Sequence, residues 1–551
     1  MLFFVACFSG ILVKLFYWQV LDRRNLISLA NSQYLTSLKT PAPRGTILSK
    51  DRFPLVQNQS SFLLYANPQE IKTPETELKE KLKIVLADEQ LNEISIFDKK
   101  LLWLPLVKNL SEETKNKIEE LKIPGLGFEE KEERFYPEAS MSAHLLGFVG
   151  KDEKGNPKGY FGLEGYYDKE IQGKEGKRFF EQDTLGRPIP LTEEIVENPI
   201  PGRNLLSSLD RPLQFLVEKR LQEGIKKYGA SSGLVLIVNP QDGSVLSMAS
   251  FPNFDPATYY SFDPSLYNNP IISSSFEPGS IFKVIVMAAA IDSGRVKMTE
   301  TCSACEGPRT ISDYSIKTWN EKYYPNSSMT DIIVHSDNVG MVYVGQKLGV
   351  EKLYEYLKSF GFDEKTNIDL QGEINPVLRA KADWREIDLA TVSFGQGIAV
   401  TPIQMLMAVS AIANKGELYQ PRVVEKIFEE RKEILIKPIK KRRVISAETA
   451  QVISEMMVQS VEKGEAKWTR TKGYKIAGKT GTAQIPIKGH YDPEKTIASF
   501  VGFAPADNAQ FAMMVALKEP KTSPWGSETA APLWFEIADD IFRLWRIPID
   551  S

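Results

Sequence analysis

Phe276-Glu277-Pro278-Gly279-Ser280-Ile281-Phe282-Lys283 is the stretch that decides the fold of this chain. Pro278 and Gly279 indicate a turn, and the residues after it are apolar on almost every side until Gly294 ends the segment. A helix that is apolar all round is buried, so we expect Ser280 in the first turn of a core helix. The unpaired N–H groups and the positive dipole end of that turn favour a developing oxyanion.

Lys283 follows Ser280 by three residues, so its amine lies on the same face of the helix as the hydroxyl. A serine hydroxyl becomes a good nucleophile only when a base takes its proton. His335 adjoins a later motif, but we expect it to pack or to cap a loop. Lys283 is therefore the expected base. Its pKa must then fall below the reference value of about 10.4, and burial and a second cation are the effects that lower it.

Two further motifs, Ser336-Asp337-Asn338 and Lys479-Thr480-Gly481-Thr482, each occur once in the chain. In the first motif, Ser336 can relay a proton between two lysines and a leaving amine. Asn338 can hold a substrate amide, because its side chain both donates and accepts hydrogen bonds. Asp337 between them is expected to cap the loop.

The second motif predicts an edge strand, along which an extended peptide can pair with the backbone. Lys479 supplies the second cation, and with the hydroxyls of Thr480 and Thr482 it can bind a terminal carboxylate. Gly481 removes a side chain that would block the approach. The backbone N–H groups of Ser280 and Thr482 would form the oxyanion hole. The substrate implied is a peptide with a free C-terminal carboxylate, cleaved one bond from its end through an acyl-enzyme.

A second Ser-x-x-Lys occurs at Ser460 and Lys463. It lies at the end of the amphipathic run Ala447 to Glu462, without the helix-start position of Ser280. We expect these two to be ordinary exposed helix residues.

Length, net charge and one apolar run indicate the number of domains, the kinds of partner and a membrane anchor. A chain of 551 residues favours about two to four domains, and a net charge of −3 does not point to nucleic acid. The run Leu2 to Val20 predicts an uncleaved membrane anchor over residues 1–22. Arg23 and Arg24 follow it, so the positive-inside rule taken alone favours the opposite orientation. A true start upstream of Met1 would account for the missing basic flank, and this conflict stays open.

The three cysteines do not suggest a disulfide framework. Cys7 lies in the anchor, whereas Cys302 and Cys305 form one Cys-x-x-Cys. Free thiols, a local disulfide and half of a zinc site remain open for this pair, and no second ligand cluster is visible. We expect neither a metal nor a cofactor.

The C-terminal part of the chain predicts five antiparallel strands with helices from both ends on one face. The helices are expected over Arg211 to Tyr228 and over Pro532 to Trp545. A mostly helical insertion carries Ser280 and Ser336, so the site would lie in a cleft between sheet and insertion. The strands are expected over residues 233–238, 244–249, 474–485, 498–503 and 510–517.

Residues 23–200 alternate short strand-like runs with charged helices and predict a structural or interaction module. Pro43 to Asp51 is expected to be an extended piece that leads into a turn. Thr73 to Asp98 and Ser111 to Leu121 are expected to be charged surface helices.

In its motifs at Ser280, Ser336 and Lys479, the chain resembles a class B penicillin-binding protein, a monofunctional D,D-transpeptidase of bacterial peptidoglycan synthesis. The resemblance covers nearly the whole length. In the catalytic half it rests on Phe276 to Lys283, Ser336-Asp337-Asn338, Ser393 to Ile398, Val400-Thr401-Pro402 and Ala477 to Gln484. In the N-terminal half it rests on Pro43-Arg44-Gly45, Arg134 to Pro137, His144, Gly147, Gly162-Leu163-Glu164, Tyr167 and Asp168.

The resemblance implies a multidomain α+β protein, with an anchor at 1–22, an elongated pedestal or dimerisation domain at 23–200 and a transpeptidase domain at 201–551. It implies an extracytoplasmic site, a D-Ala-D-Ala stem peptide as donor, a stem-peptide amine as acceptor, and β-lactams that acylate Ser280. The implied partners are a SEDS-type glycosyltransferase, other membrane cell-wall proteins and a second copy of the chain. The motifs are more similar to the division or sporulation branch than to the elongation branch.

Three alternatives remain open, namely a D,D-carboxypeptidase, a β-lactam-binding sensor and a scaffold, whereas a β-lactamase is disfavoured. In a D,D-carboxypeptidase, water would resolve the acyl-enzyme. A β-lactam-binding sensor or a scaffold of the wall-building machinery would use the same motifs without turnover. A β-lactamase would need an additional base, and no Glu-x-x-x-Asn follows Asn338.

Overall fold

The structure is a computed structural model that describes residues 1–86, 101, 103–181, 195–487 and 490–549. Contacts divide the chain into two compact units. One unit comprises Met1–Gly45 and Lys169–Arg203, and the other comprises Thr46–Asp168 and Asn204–Ser551.

The smaller unit begins with a long apolar helix, as predicted. Leu2–Phe16 is α-helical and continues through the π-helical turn Tyr17–Leu21. Leu2–Leu21 has a mean hydropathy of 1.7 and buries none of its residues, which makes it a candidate membrane span. Lys14 Nζ lies 5.2 Å from the centre of the Trp18 ring. The unit also contains helix Arg23–Tyr34 and a sheet of strands Leu35–Thr40, Gly176–Glu181 and Ile195–Glu197.

In the larger unit, a seven-stranded sheet combines segments from both halves of the sequence. Asn204–Ser207 pairs in parallel with Ile47–Leu48 and antiparallel with Val424–Glu429. The sequence does not predict this sheet, because the paired Leu205 and Ile427 are far apart along the chain. The strands, in order, are Lys432–Leu435, Val424–Glu429, Asn204–Ser207, Ile47–Leu48, Pro54–Ala66 and Leu104–Leu110, with Leu126–Phe135 also paired to Pro54–Ala66.

Local predictions for the N-terminal half are confirmed for the turn and for one helix, and only in part for the other helix. Strand Ile47–Leu48 leads into a turn that Arg52 N–H closes on Ser49 O at 2.8 Å. Helix Glu112–Glu120 is capped by Ser111. The longer helix, predicted over Thr73 to Asp98, forms only over Glu75–Leu82. Residues 83–86 form a turn, so the prediction is wrong there, and residues 87–98 lie outside the described residues. Further elements here are Ala143–Leu146, Phe148–Lys151, Pro157–Tyr160, Gly162–Tyr166 and Asp168–Ile171.

The five-stranded antiparallel sheet is confirmed. Its strands are β1 (Ser232–Val238), β2 (Val245–Phe251), β3 (Ala477–Ile487), β4 (His490–Ala504) and β5 (Phe511–Lys518). The order across the sheet is β2-β1-β5-β4-β3. Strand β3, which carries the Lys-Thr-Gly motif, therefore lies at an edge.

Helices Arg211–Tyr228 and Ala530–Leu544 pack on one face of this sheet, as predicted. Asp210 caps the first helix by accepting from Leu213 N–H at 3.1 Å. Trp534 is fully buried and donates from Nε1 to the backbone oxygen of Met513 at 2.9 Å. This face of the sheet therefore forms a large hydrophobic core.

The helical part holds the predicted core helix. A 3₁₀ turn, Gly279–Phe282, leads into helix Lys283–Asp292, whose residues Lys283 to Ala290 are all buried. The other long helices are Asn338–Ser359, Pro402–Ala413 and Ala447–Lys463. Shorter elements are Pro256–Ser261, Pro264–Tyr267, Pro270–Ser273, Arg309–Ile311, Tyr314–Ile316, Met329–Val334, Lys381–Asp383, Glu386–Val392, Glu417–Tyr419 and Lys440–Arg443.

Cys302 and Cys305 form a local disulfide with their Cα atoms 5.6 Å apart, which resolves the alternatives left open by the sequence. Both cysteines are buried. The loop they belong to is closed by Cys302 N–H, which donates to Ser327 O at 2.8 Å. Cys7 is a free, exposed cysteine.

Leu221→Ala should lower the free energy of unfolding by about 2–5 kcal/mol, because it opens a cavity between the helix and the sheet. Leu221 has no exposed surface, whereas Phe215 on the same helix is 62% exposed. Phe215→Ala is therefore the matched control and should change stability by less than about 0.5 kcal/mol. Denaturant titration of both variants makes the comparison. Equal losses would contradict the described packing.

Alkylation after denaturation should label only Cys7 unless a reductant is added first, because the other two cysteines are joined. Mass spectrometry of the alkylated peptides distinguishes the states. Labelling of Cys302 and Cys305 without reductant would show that the pair is not a disulfide.

Candidate active site

The turn before the core helix places Ser280 in a cleft. Gly279 has a φ of 56° and donates its N–H to Gly395 O at 2.9 Å. A Cβ atom on Gly279 would lie 3.0 Å from Thr482 O, so glycine permits a close approach to strand β3. Ser280 is half-buried and lines the cleft.

Lys283 is fully buried, and its ammonium group is held by neutral oxygen atoms. Its Nζ donates to Ser336 O at 2.6 Å, to Asn338 Oδ1 at 2.8 Å and to Ser336 Oγ at 3.3 Å. The structure thus brings Lys283 against the serine and asparagine of the Ser336-Asp337-Asn338 motif.

Ser336 lies between two lysines. Lys479 is 1% exposed, and its Nζ donates to Ser336 Oγ at 3.0 Å. Ser336 has a φ of 54°, a left-handed conformation that costs a non-glycine residue about 1–2 kcal/mol. This conformation places its hydroxyl within hydrogen-bond reach of both Lys283 and Lys479.

Burial and the neighbouring Lys479 lower the pKa of Lys283 to about 7, while Glu465 and Asp337 act in the opposite direction. Burial also lowers the pKa of Lys479. These are the direction and the two causes expected from the sequence. A substantial fraction of Lys283 is therefore neutral near pH 7.

The two threonines of strand β3 differ in their hydrogen bonds. Thr480 Oγ1 accepts from Lys479 Nζ at 3.2 Å and donates to Glu465 Oε2 at 3.0 Å. Thr482 Oγ1 instead accepts from Gly526 N–H at 3.0 Å. Both threonines line the cleft beside Ser280.

Gly481 allows strand β3 to approach the turn that carries the serine. A Cβ atom there would lie 2.5 Å from Ser499 Oγ and 2.8 Å from Ile281 Cγ2. The absence of a side chain at Gly481 thus avoids clashes with other residues of the protein. The role of Gly481 in admitting a bound peptide stays a prediction.

The other residues of the Ser336-Asp337-Asn338 motif, and the adjacent His335, also have partners within the chain. Asn338 donates from Nδ2 to Lys317 O at 3.1 Å, and an amide nitrogen has a second hydrogen for a substrate. Asp337 accepts from Val339 N–H at 2.8 Å and caps helix Asn338–Ser359, as predicted. His335 stacks on Tyr324 with ring centres 4.0 Å apart, which confirms its packing role.

Several residues of the cleft are not singled out by the sequence. Trp319 and Trp525 lie on opposite loops with ring centres 5.2 Å apart, and both line the cleft. Glu465 lines it as well, one residue after the helix-ending Gly464. Phe394 and Gln396 complete the wall and belong to a stretch that carries the family resemblance.

Ser460 lies in the last turn of helix Ala447–Lys463, as predicted, but it is buried at 6% exposure. The expectation that both residues of this second Ser-x-x-Lys are exposed is thus wrong for Ser460, because its side of the helix packs inward.

A larger cavity, of about 730 Å³, is lined by His144, Phe276, Ile374 and Lys518 among others. It contains none of the predicted catalytic residues. Burial lowers the pKa of His144 to about 4, and its ring nitrogens contact Leu266 O and Ser250 Oγ.

Two family models match the chain. The model of the penicillin binding protein transpeptidase domain matches residues 233–543, and that of the penicillin-binding protein dimerisation domain matches residues 39–207.

Curated relatives cover nearly the whole chain. Stage V sporulation protein D of Bacillus subtilis is 33% identical over 547 residues, which span 98% of this chain and 84% of the relative. The peptidoglycan D,D-transpeptidase FtsI of Escherichia coli is 28% identical over 98% of this chain and 90% of its own.

Solved structures share the fold. A peptidoglycan synthetase from Bifidobacterium adolescentis has a TM-score of 0.74 at 26% identity, over 94% of this chain and 98% of that one. Penicillin Binding Protein 2X from Streptococcus thermophilus has a TM-score of 0.77 at 24% identity, over 92% of this chain and 80% of that one.

A transpeptidase domain behind a dimerisation domain, with an N-terminal apolar helix, defines the class of protein. The chain belongs to the class B penicillin-binding proteins. It is a serine-type acyl-transfer enzyme of the D,D-transpeptidase type.

The acylation rate constant for benzylpenicillin should rise with pH around a midpoint of about 7, because Lys283 takes a proton only when it is neutral. Below the midpoint the ammonium form predominates and acylation slows. Stopped-flow measurement at saturating drug, from about pH 5 to about pH 9, separates this step from binding. A rate that keeps rising towards the usual pKa of lysine would contradict a lowered pKa.

Proposed function

We propose that this chain cross-links peptidoglycan stem peptides through an acyl-enzyme on Ser280. The observation that carries the proposal is the buried Lys283, which hydrogen-bonds Ser336 and Asn338 while Lys479 approaches Ser336 from the other side. The relatives named peptidoglycan D,D-transpeptidases support this choice of substrate.

In the first step, Ser280 Oγ attacks the carbonyl carbon between the two D-alanines and its proton passes to Lys283 Nζ. The C–N bond breaks, and the leaving D-alanine takes a proton relayed through Ser336. N–H groups of Ser280 and Thr482 hold the oxyanion. Lys479 fixes the charge of the terminal carboxylate beside Thr482.

In the second step, the amine of a neighbouring stem peptide attacks the ester carbon. It loses a proton to Lys283, and Lys283 passes a proton to Ser280 Oγ as the C–O bond to Ser280 breaks. The new amide is the cross-link, and the enzyme returns to its starting form. β-Lactams enter the first step in place of the donor and remain on Ser280. Asn338 holds the donor amide, and Gly481 lets the peptide pair with strand β3.

The cellular setting is proposed from the anchor and the family. The chain is held in the bacterial cell membrane by residues 1–22, and residues 23–200 and 201–551 form an extracytoplasmic pedestal and transpeptidase domain. Its proposed partners are a SEDS-type glycosyltransferase, other membrane cell-wall proteins and a second copy of itself. The motif resemblance, together with the relative named Stage V sporulation protein D, favours a division or sporulation role.

Three other functions compete with this one: a D,D-carboxypeptidase, a non-catalytic β-lactam sensor and a non-catalytic scaffold. They differ from a transpeptidase in what resolves the acyl-enzyme, so the product distinguishes them. Cross-linked dimers from nascent glycan strands support transpeptidation, whereas shortened monomers support a carboxypeptidase. Stable acylation without any product would support a sensor.

Mass spectrometry after incubation with benzylpenicillin should find one covalent adduct, on Ser280. Ser280→Ala should abolish labelling and cross-linking together, whereas Ser460→Ala is the matched control that keeps the adduct. Any labelling of the Ser280→Ala variant would overturn the assignment of the nucleophile. Full cross-linking by that variant would instead favour the scaffold.

A further inference from the structure

The hydroxyl of Thr480 has one hydrogen, and Glu465 takes it. Lys479 Nζ donates to this oxygen at 3.2 Å, and the hydroxyl donates to Glu465 Oε2 at 3.0 Å. A hydroxyl donates once, so Thr480 cannot donate to a second carboxylate while this bond is made.

Thr482 is arranged in the opposite way. Its oxygen accepts from Gly526 N–H at 3.0 Å, so its own hydrogen can be given to a ligand. The sequence assigns both threonines the same part in binding a terminal carboxylate. The structure separates them, since only Thr480 is joined to a carboxylate of the protein among the described contacts of the two side chains.

Glu465 is also placed to act through charge. It is half-buried and lines the cleft, and the Thr480 hydroxyl links it to Lys479 by two hydrogen bonds in series. The charged groups that act on Lys283 are Lys479, Glu465 and Asp337, and Asp337 is engaged in capping its helix.

We propose that Glu465 is a positioning residue on the carboxylate-binding side of the cleft. Its carboxylate accepts the hydrogen of the Thr480 hydroxyl until the carboxylate of a substrate displaces it. This proposal rests on the proposed function, in which a terminal carboxylate binds beside Lys479. Two carboxylates cannot share one hydroxyl hydrogen, and their like charges repel each other. Glu465 therefore weakens the binding of every acylating ligand that carries a carboxylate there, and it does not weaken the binding of a neutral one.

The negative charge of Glu465 also acts on the proposed general base, Lys283. Burial and Lys479 lower the pKa of Lys283, and Glu465 partly offsets them. When a neutral side chain replaces Glu465, the pKa of Lys283 should fall further. The midpoint of the acylation step should then move to lower pH.

The test compares benzylpenicillin with its methyl ester on the full chain. Glu465→Gln keeps an oxygen that accepts from Thr480 but removes the charge, and Glu465→Ala removes both. Glu462→Gln is the matched control, because Glu462 pairs with Arg470 at 3.7 Å and does not line the cleft. The readouts are the binding constant and the acylation rate constant of each ligand, and the pH profile of the rate.

The proposal predicts that Glu465→Gln increases the preference for benzylpenicillin over its ester about tenfold, through the binding constant. Glu465→Ala should increase it at least as much, and Glu462→Gln should leave it unchanged. The pH midpoint should fall in both Glu465 variants.

An unchanged preference with both ligands acylated more slowly would overturn the proposal and leave Glu465 a structural support of strand β3. An increase in Glu465→Ala alone would support competition for the Thr480 hydrogen, because only that variant removes the acceptor, and would overturn the part of the proposal that rests on the charge of Glu465. If wild-type Ser280 forms no adduct with either ligand, it is the proposed function that fails, so the two failures are distinct.

Discussion

The structure depends on the burial of two lysine ammonium groups next to each other. Lys283 and Lys479 are 0% and 1% exposed, and a single hydroxyl, that of Ser336, contacts both. A buried charge is costly, and a buried pair of like charges more so, so one member gives up its proton at a lower pH than usual. The fold holds this arrangement because the chemistry needs an amine that is a base near neutral pH.

Three segments distant in sequence make this arrangement, and each is fixed by ordinary packing. Lys283 begins a helix whose next seven residues, to Ala290, are all buried, and its own side chain is buried with them. Asp337 caps its helix, and the preceding Ser336 has a left-handed conformation. Strand β3 brings Lys479, and Gly279 and Gly481 let the strand and the turn approach each other closely.

The sequence predicts those parts of the molecule that are encoded locally. The core helix at Ser280, the helix Arg211–Tyr228 and the five strands all follow from hydrophobic pattern and turn residues, and the structure confirms them. The seven-stranded sheet is not predictable in this way, because Asn204–Ser207 and Val424–Glu429 meet only through the tertiary fold. Glu465, Trp319 and Trp525 reach the cleft from loops, where no periodicity indicates which way a side chain points. The state of Cys302 and Cys305 depends on the backbone geometry of their loop.

The most direct measurement is an NMR titration of the Lys283 side chain in the full chain, with labelled lysine and assignment by Lys283→Arg. The account predicts a transition at about 7, because burial and Lys479 lower the pKa of this amine. A transition at the ordinary lysine value of 10.5 would contradict it, since Lys283 could then not act as the base for Ser280.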